Sequence, residues 1–523
     1  MSGNRGSGSL TSLSHNLPSP TGGGRWQGTL WVGVRTMPIR PFSREQTFLF
    51  PPLLDELVPV DHPVRYVALF VDGLTRTEWL KLGVVPEGEV RGAPGYAPAA
   101  LLGAWLYGFM TGVRSSRKLE GACRDQLPYL WLTGWQRPDH NTLWRFYRIH
   151  RTGMRVLLKR TVRVAVATGL VDLAVQAVDG TRVAGSAARE RTLDAAGLAD
   201  LLGRVETAIA DLEAQNTGGD DPPPARLPAE LARAEALRAR VLEALARVTD
   251  ADGPTRANVT DPDATLQKRR GGGFQVGYNP QAMLAGVSAP QPDAPGHLLI
   301  TAADVTADRD DHGQLVPLLE QAEAVTEAPI PEALADGGYH SAANLAACEE
   351  RGQVIVMPDP QAPRPDQPYH KDRFVYDPVT DTFTCPQGQL LTFQGLDRRQ
   401  AGGPPIRRYR GVLAVCAACP VRAACTTSTT RGRSVTRSPD DARLRRHRAF
   451  MATDAAKDAY RRRKTLPEPA FGILKEQQAA RRFLLRGLDH VRDEWSLLAT
   501  AFNLRTLAGL WQAAADPARP LAA

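Results

Sequence analysis

Cysteine is scarce in this sequence, with six residues among 523. That is too few, too widely spread, for a disulfide framework, so a small secreted scaffold is excluded and a reducing cytoplasm is the expected setting. No opening stretch has the order of a signal peptide. Long apolar runs are also lacking, except for Tyr96 to Val113 inside the charge-free interval between Arg91 and Arg114. That run is long enough to be weighed as a membrane span. Pro98, Gly103, Gly108 and Gly112 interrupt it and no second span follows, so a buried core helix and no membrane partner are expected. The 46 Gly and 41 Pro have no period, which excludes collagen and suits linkers between folded units. At roughly 100–200 residues per domain, the length suits two to four domains.

Charge is uneven. With 64 Lys and Arg against 56 Asp and Glu, the net charge is +8. Residues 391–490 hold 22 basic and 8 acidic residues, a local +14 that leaves the remainder near −6. The runs Arg443-Leu-Arg-Arg-His-Arg448 and Arg461-Arg-Arg-Lys464, followed by Arg481, Arg482 and Arg486, would attract a polyanion through counterion release. Nucleic acid is the candidate partner; a merely solvated basic face accounts for the charge equally well.

Residues 1–40 are rich in Gly, Ser and Pro and read as a disordered leader, with Met37 an alternative start. Residues 41–168 read as a helical N-terminal domain. Within it, Pro138-Asp-His-Asn-Thr142 opens a capped amphipathic helix reaching Arg151, which suits a helix-turn-helix-like DNA-binding module or an ordinary helical bundle. The next part alternates: strands at 173–178, 274–286 and 297–305, a helix at 314–323, a strand at 333–335, a helix at 341–352 and a strand at 353–357. That order gives an α/β fold with a mixed sheet covered by helices. Residues 187–252, broken by Gly218-Gly-Asp-Asp-Pro-Pro-Pro224, read as an inserted helical hairpin, and 511–523 as a tail.

Side chains at the carboxyl ends of such strands converge on a crevice, which singles out Asp179 and Asp336, each between an apolar run and a Gly. Asp-Gly is also a common turn, but two at equivalent positions weaken that explanation. Glu468 stands at a helix start marked by Pro469, with Lys475 two turns along the same face. Three carboxylates make a hard-oxygen site for Mg²⁺ or Mn²⁺, the chemistry of phosphodiester transfer. Glu494 competes as the third acid, although its apolar helical surroundings suit packing.

These residues carry a resemblance. From about Arg44 to Leu510 the chain resembles the DDE transposases of bacterial insertion sequences, in the branch with a helical N-terminal domain and a cysteine-bearing insert. The matching pieces are Gly112-Val-Arg-Ser-Ser-Arg-Lys-Leu-Glu120, Pro138-Asp-His-Asn-Thr142, Asp179-Gly-Thr181, Gly277-Tyr-Asn-Pro-Gln281, Asp336-x-Gly-Tyr339, Tyr460-x-x-Arg463, Glu468-x6-Lys475 and Arg486-Gly-Leu488. The resemblance implies a ribonuclease-H-like catalytic domain over 169–510 and a metal-binding triad of Asp179, Asp336 and Glu468. It implies contacts from Tyr460, Arg463 and Lys475 to the DNA ends, and a homodimer during end synapsis. The Arg463-to-Glu468 spacing is one residue longer than the family signature, so Lys464 competes for the Arg463 role. Arg481 and Arg482 belong to the same expected DNA face. The expected activity is cleavage and strand transfer at terminal inverted repeats; hydrolysis alone, or DNA binding by a catalytically dead relative, are the alternatives.

Cys385, Cys416, Cys419 and Cys425 have the spacing C-x30-C-x2-C-x5-C within an insert at 358–450, which suggests a structural tetrahedral Zn²⁺. Free thiols are the alternative. Cys123 and Cys348 lie on apolar helical faces and are expected to be buried. His140, His312 and His340 lack i, i+4 partners, so ordinary polar contacts are expected of them, with His340 near enough to Asp336 to be weighed as an assistant.

Overall fold

The computed structural model describes residues 53–85, 95–169, 171–216, 229–251, 253–269, 271–288, 297–364, 366–397 and 405–515. The expected leader, the Gly218–Pro224 break and residues 516–523 lie outside them.

Five strands build the central sheet: β1 (Val171–Gly180), β2 (Phe274–Val287), β3 (His297–Thr306), β4 (Glu332–Leu334) and β5 (Val354–Val356). Their order is β3-β2-β1-β4-β5, with short strands Val183–Ala184 and Thr265–Lys268 also on β2. β1 pairs with β2 antiparallel, and β2 with β3 likewise; β1, β4 and β5 run parallel. The sequence order explains this arrangement. A short connection joins β2 to β3 as a hairpin, whereas parallel neighbours need the helical crossovers supplied by the 315–326 and 342–350 helices.

The apolar run once weighed as a membrane span forms α1 (Pro98–Thr111), in which every residue from Leu101 to Met110 is buried. Pro98 sits in its first turn and Gly112 ends it at φ +81°, the left-handed cap that suits glycine. No helix among the described residues is long and apolar enough to cross a membrane. α2 (Ser116–Asp125) and α3 (His140–His150) pack beside α1. Asp139 caps α3 by accepting from Asn141 and Thr142 N–H at 2.8 and 3.0 Å, and Leu143, Phe146 and Tyr147 form its buried face. Trp105 of α1 stacks on Tyr147 at 4.6 Å.

A long C-terminal helix, Leu488–Ala515, lies across β3 and α1 and extends past the expected start of the tail. Buried Trp495, Leu498 and Phe502 face the core. A register shift between Met283 and Leu284 disturbs the β2/β3 ladder, and Asn503 from this helix bonds both the N–H and C=O of Ile300 there at 2.8 Å. The side chain thus supplies partners where the ladder is irregular.

Helices Ala195–Asn216 and Ala229–Thr249 pack together between β1 and β2 in the sequence. The cysteine-bearing segment holds an element that sequence analysis missed: a five-stranded antiparallel meander formed by 375–377, 382–384, 390–397, 406–411 and 434–437. Its small core is Phe374, Phe383, Leu391, Tyr409 and Val435. Cys123 and Cys348 are buried, as expected.

Candidate active site

Asp179 and Asp336 occupy equivalent places at the ends of adjacent parallel strands. Ala177 pairs with Leu334; Asp179 lies two residues further along β1, and Asp336 lies two residues past Leu334, just beyond the end of β4. Asp179 is buried, 6% exposed. Asp336 caps the short turn Gly337–Tyr339, accepting from Gly338 N–H at 2.7 Å. Between the two carboxylates stands Arg463, whose Nη2 lies 2.9 Å from Asp179 Oδ2 and 3.9 Å from Asp336 Oδ2.

Two glycines are dictated by close approach. A Cβ on Gly180 would overlap the Gln281 side-chain amide from β2, and one on Gly338 would stand 2.8 Å from Asp336 Oδ1 and 3.0 Å from Asp311 Oδ2. Gly180 and Gly338 thus sit at a crowded strand end, where an added Cβ would have to displace the Gln281 amide or the Asp336 and Asp311 carboxylates.

Asp311 is the residue that sequence reasoning missed. It accepts from Asn279 Nδ2 at 2.6 Å, Gln281 Nε2 at 2.8 Å and Arg182 Nη1 at 3.3 Å. Tyr339 in turn donates to Gln281 Oε1. Burial, followed by the nearby charges of Asp311, Asp179 and Asp336, pushes the Tyr339 hydroxyl well above its usual range, so it stays a donor. The signal was present as Asp308-Arg-Asp-Asp311 just after a strand.

Arg463 ends helix Asp454–Arg463, and Glu468 stands in the first turn of the next helix, Pro467–Glu476. That second helix buries Pro467, Ala470, Phe471 and Leu474, leaving Glu468 exposed. Glu468 makes no hydrogen bond or ion pair among the described residues. Seven residues on, Lys475 bonds Thr181 Oγ1, two positions after Asp179. Tyr460 is half-buried beside Phe450, Met451 and Leu466, and burial raises its hydroxyl. Lys464 is exposed; Arg481 is exposed and pairs with Glu476 at 2.6 Å, and Arg482 is exposed.

The competing acid, Glu494, faces inward. It is 1% exposed, pairs with buried Arg114, and accepts from Leu484 and Leu485 N–H. Arg114 also donates to the carbonyls of Ala479 and Arg482. A Cβ on Gly112 would come within 2.9 Å of the Gln477 carbonyl. Gly112-Val-Arg114 is thus a clamp on the segment that follows the Glu468 helix.

Much of the basic block is compensated by acids from elsewhere in the chain. Arg407 pairs with Asp381, Arg443 and Arg446 with Glu349, Arg448 with Asp359 and Asp372, and Arg462 with Glu332. The other histidines take ordinary contacts: His140 with Glu120 at 2.9 Å and His312 with Asp310 at 3.3 Å. His340, 3.6 Å from Asp359, is held below its usual pKa by burial, against the pull of that carboxylate.

All four cysteines Cys385, Cys416, Cys419 and Cys425 line one cavity of about 350 Å³. Burial raises the Cys425 thiol. Among the described residues, no three His, Cys, Asp or Glu side chains stand close enough together to hold a metal ion.

Two family models match the sequence. One, described as a transposase DDE domain, covers residues 384–508; the other, described as a transposase domain, covers 52–148. Together the two matches indicate a DDE-type transposase of the insertion-sequence kind. The first match contains Glu468, Arg463 and the four cysteines; the second contains Gly112, Arg114 and α3 as far as Arg148. Asp179 and Asp336 fall outside both. No curated protein matches the sequence.

Proposed function

We propose that this transposase cuts DNA at the terminal inverted repeats of its element and joins the freed ends to target DNA. The observation that carries the reading is the placement of Asp179 and Asp336 at matched ends of parallel strands, where both face one cationic group. The strand order, with only β2 reversed among the five main strands, supports a ribonuclease-H-like sheet.

Their hard oxygen donors suit Mg²⁺ or Mn²⁺ in chemistry, and the pair already shares one positive charge, that of Arg463. Glu468 would complete the set if its helix, whose Lys475 already bonds Thr181 beside the β1 end, brought it closer. A divalent ion bound there would activate the attacking oxygen and stabilise the leaving one. The protein's own work is to fix the carboxylates. Gly338 N–H orients Asp336, while the Asp311, Gln281 and Tyr339 network packs behind Gly180. Lys464, Lys475, Arg481 and Arg482 present positive charge to DNA phosphates around the same helix. Four thiols are the donor set of a structural Zn²⁺ site; no three of them stand close enough together to hold the ion as they lie, so zinc bound in the cysteine cavity would have to draw them together, and would then stiffen the meander. The working form is a homodimer on paired ends, acting on the nucleoid in the cytoplasm.

The test is incubation of the purified protein with Mg²⁺, a duplex carrying the element's end and a target plasmid. Joined product supports transposition. Nicked duplex without joined product reduces the activity to hydrolysis, and binding without either leaves a DNA-binding protein alone.

A further inference from the structure

We propose that Arg463 is an internal counter-ion that occupies the carboxylate pair until a divalent cation displaces it, and that the released guanidinium then serves a DNA phosphate. This rests on the assignment of Asp179 and Asp336 as cation ligands.

Two ionised carboxylates at one strand end repel each other, and burying Asp179 raises the cost unless a positive charge is near. Arg463 supplies that charge through a single nitrogen, Nη2, shared between the two. Its hold is incomplete. Arg463 Nε is buried with no hydrogen-bond partner, an unfavourable arrangement for a side chain only 9% exposed. Arg448, whose side chain is 10% exposed, differs: its Nε and Nη1 both meet carboxylates, those of Asp359 and Asp372.

The charges favour exchange. A guanidinium leaves the trio of groups at −1, and a divalent cation in its place brings the pair to neutrality. The displaced side chain ends its helix beside exposed Lys464 and has only a short turn before the Glu468 helix, so its alternative partner lies on the basic side where DNA is placed. Phosphate offers a guanidinium the two-pronged contact that Nη2 alone does not make with the aspartates. A cation and DNA would then help each other bind, because each removes the obstacle to the other, and that coupling is reciprocal.

The measurement is Mn²⁺ titration of the full chain followed by electron paramagnetic resonance, on wild type, Arg463→Gln and Asp179→Asn. Without DNA, Arg463→Gln should bind Mn²⁺ at least tenfold more tightly than wild type. With a duplex carrying the element's terminal repeat, wild type should gain affinity and Arg463→Gln should gain little. Equal Mn²⁺ affinities in the two proteins, or an equal gain with DNA, overturn the proposal. Asp179→Asn separates the two levels: if it binds Mn²⁺ as wild type does, the ligand assignment itself fails. Should Arg463→Gln not fold, phenylglyoxal labelling of wild type, read by peptide mass spectrometry, serves instead. Labelling of Arg463 should rise several-fold when Mn²⁺ is added, and an unchanged rate overturns the exchange.

Discussion

Replacing Arg114 by Met removes the only side-chain cation bonded to Glu494 among the described residues. The carboxylate is 1% exposed and its ion-pair partner 3%, so the charge left behind has no access to water. Two backbone N–H groups, from Leu484 and Leu485, remain to solvate it, while the Ala479 and Arg482 carbonyls lose their donor. Removing one member of a buried ion pair costs about 3–5 kcal/mol. Glu494→Leu should cost a similar amount, for the mirror-image reason. Arg114→Met with Glu494→Leu leaves no charge buried, though it still leaves the backbone groups without partners. The double variant should therefore cost at least about 2 kcal/mol less than the two single changes added together. Urea unfolding followed by fluorescence reads this, since Trp495 is adjacent to Glu494 and buried. Additive costs, or a loss below about 1 kcal/mol for Arg114→Met, would refute the clamp and reopen Glu494 as a candidate for chemistry.

Three further outcomes are expected. Gly180→Ala should destabilise by about 1–3 kcal/mol through overpacking against Gln281, and should reduce DNA cleavage with it; a variant as stable as wild type contradicts the close approach. Metal analysis should find about one zinc per chain, lost together with thermal stability in Cys416→Ser/Cys419→Ser, whereas zinc-free folded protein refutes the assignment. Burial lowers the pKa of both His340 and His447, despite the pull of Asp359. The unfolded chain takes protons below about pH 6.5 that these folded-state histidines resist, so stability should fall as pH drops below that value, by up to about 1.4 kcal/mol per pH unit for each. Denaturation midpoints across pH check this, and His340→Asn should flatten the fall.

The central sheet was legible because its strands are apolar runs, two of them closed by Asp-Gly, and because strand-helix alternation implies parallel neighbours. That pattern located Asp179 and Asp336 and brought them to matched positions. The 96–113 run was readable as a buried helix from its glycines and lack of charge. Arg463 was visible as a basic residue, but its burial between two aspartates was not, since that contact joins residues 284 positions apart (463 − 179). The pairing of the +14 block was hidden in the same way: its counter-ions, such as Glu349, Asp359 and Glu332, lie outside it in sequence and adjacent in space. The meander stayed hidden because its strands are brief and half polar, and four cysteines drew attention away from Phe383 and Tyr409. Asp311 was not singled out because its partners Asn279, Gln281 and Arg182 meet it only in space.

The central claim is that Asp179 and Asp336 carry the chemistry of this transposase. Cleavage of an end-bearing duplex by Asp179→Asn, measured beside its binding to the same duplex, tests it most directly. The amide keeps the shape of the side chain and removes the charge, so binding should persist while Mg²⁺-dependent cutting falls to background. A folded Asp179→Asn protein that still cuts at the wild-type rate would contradict the account.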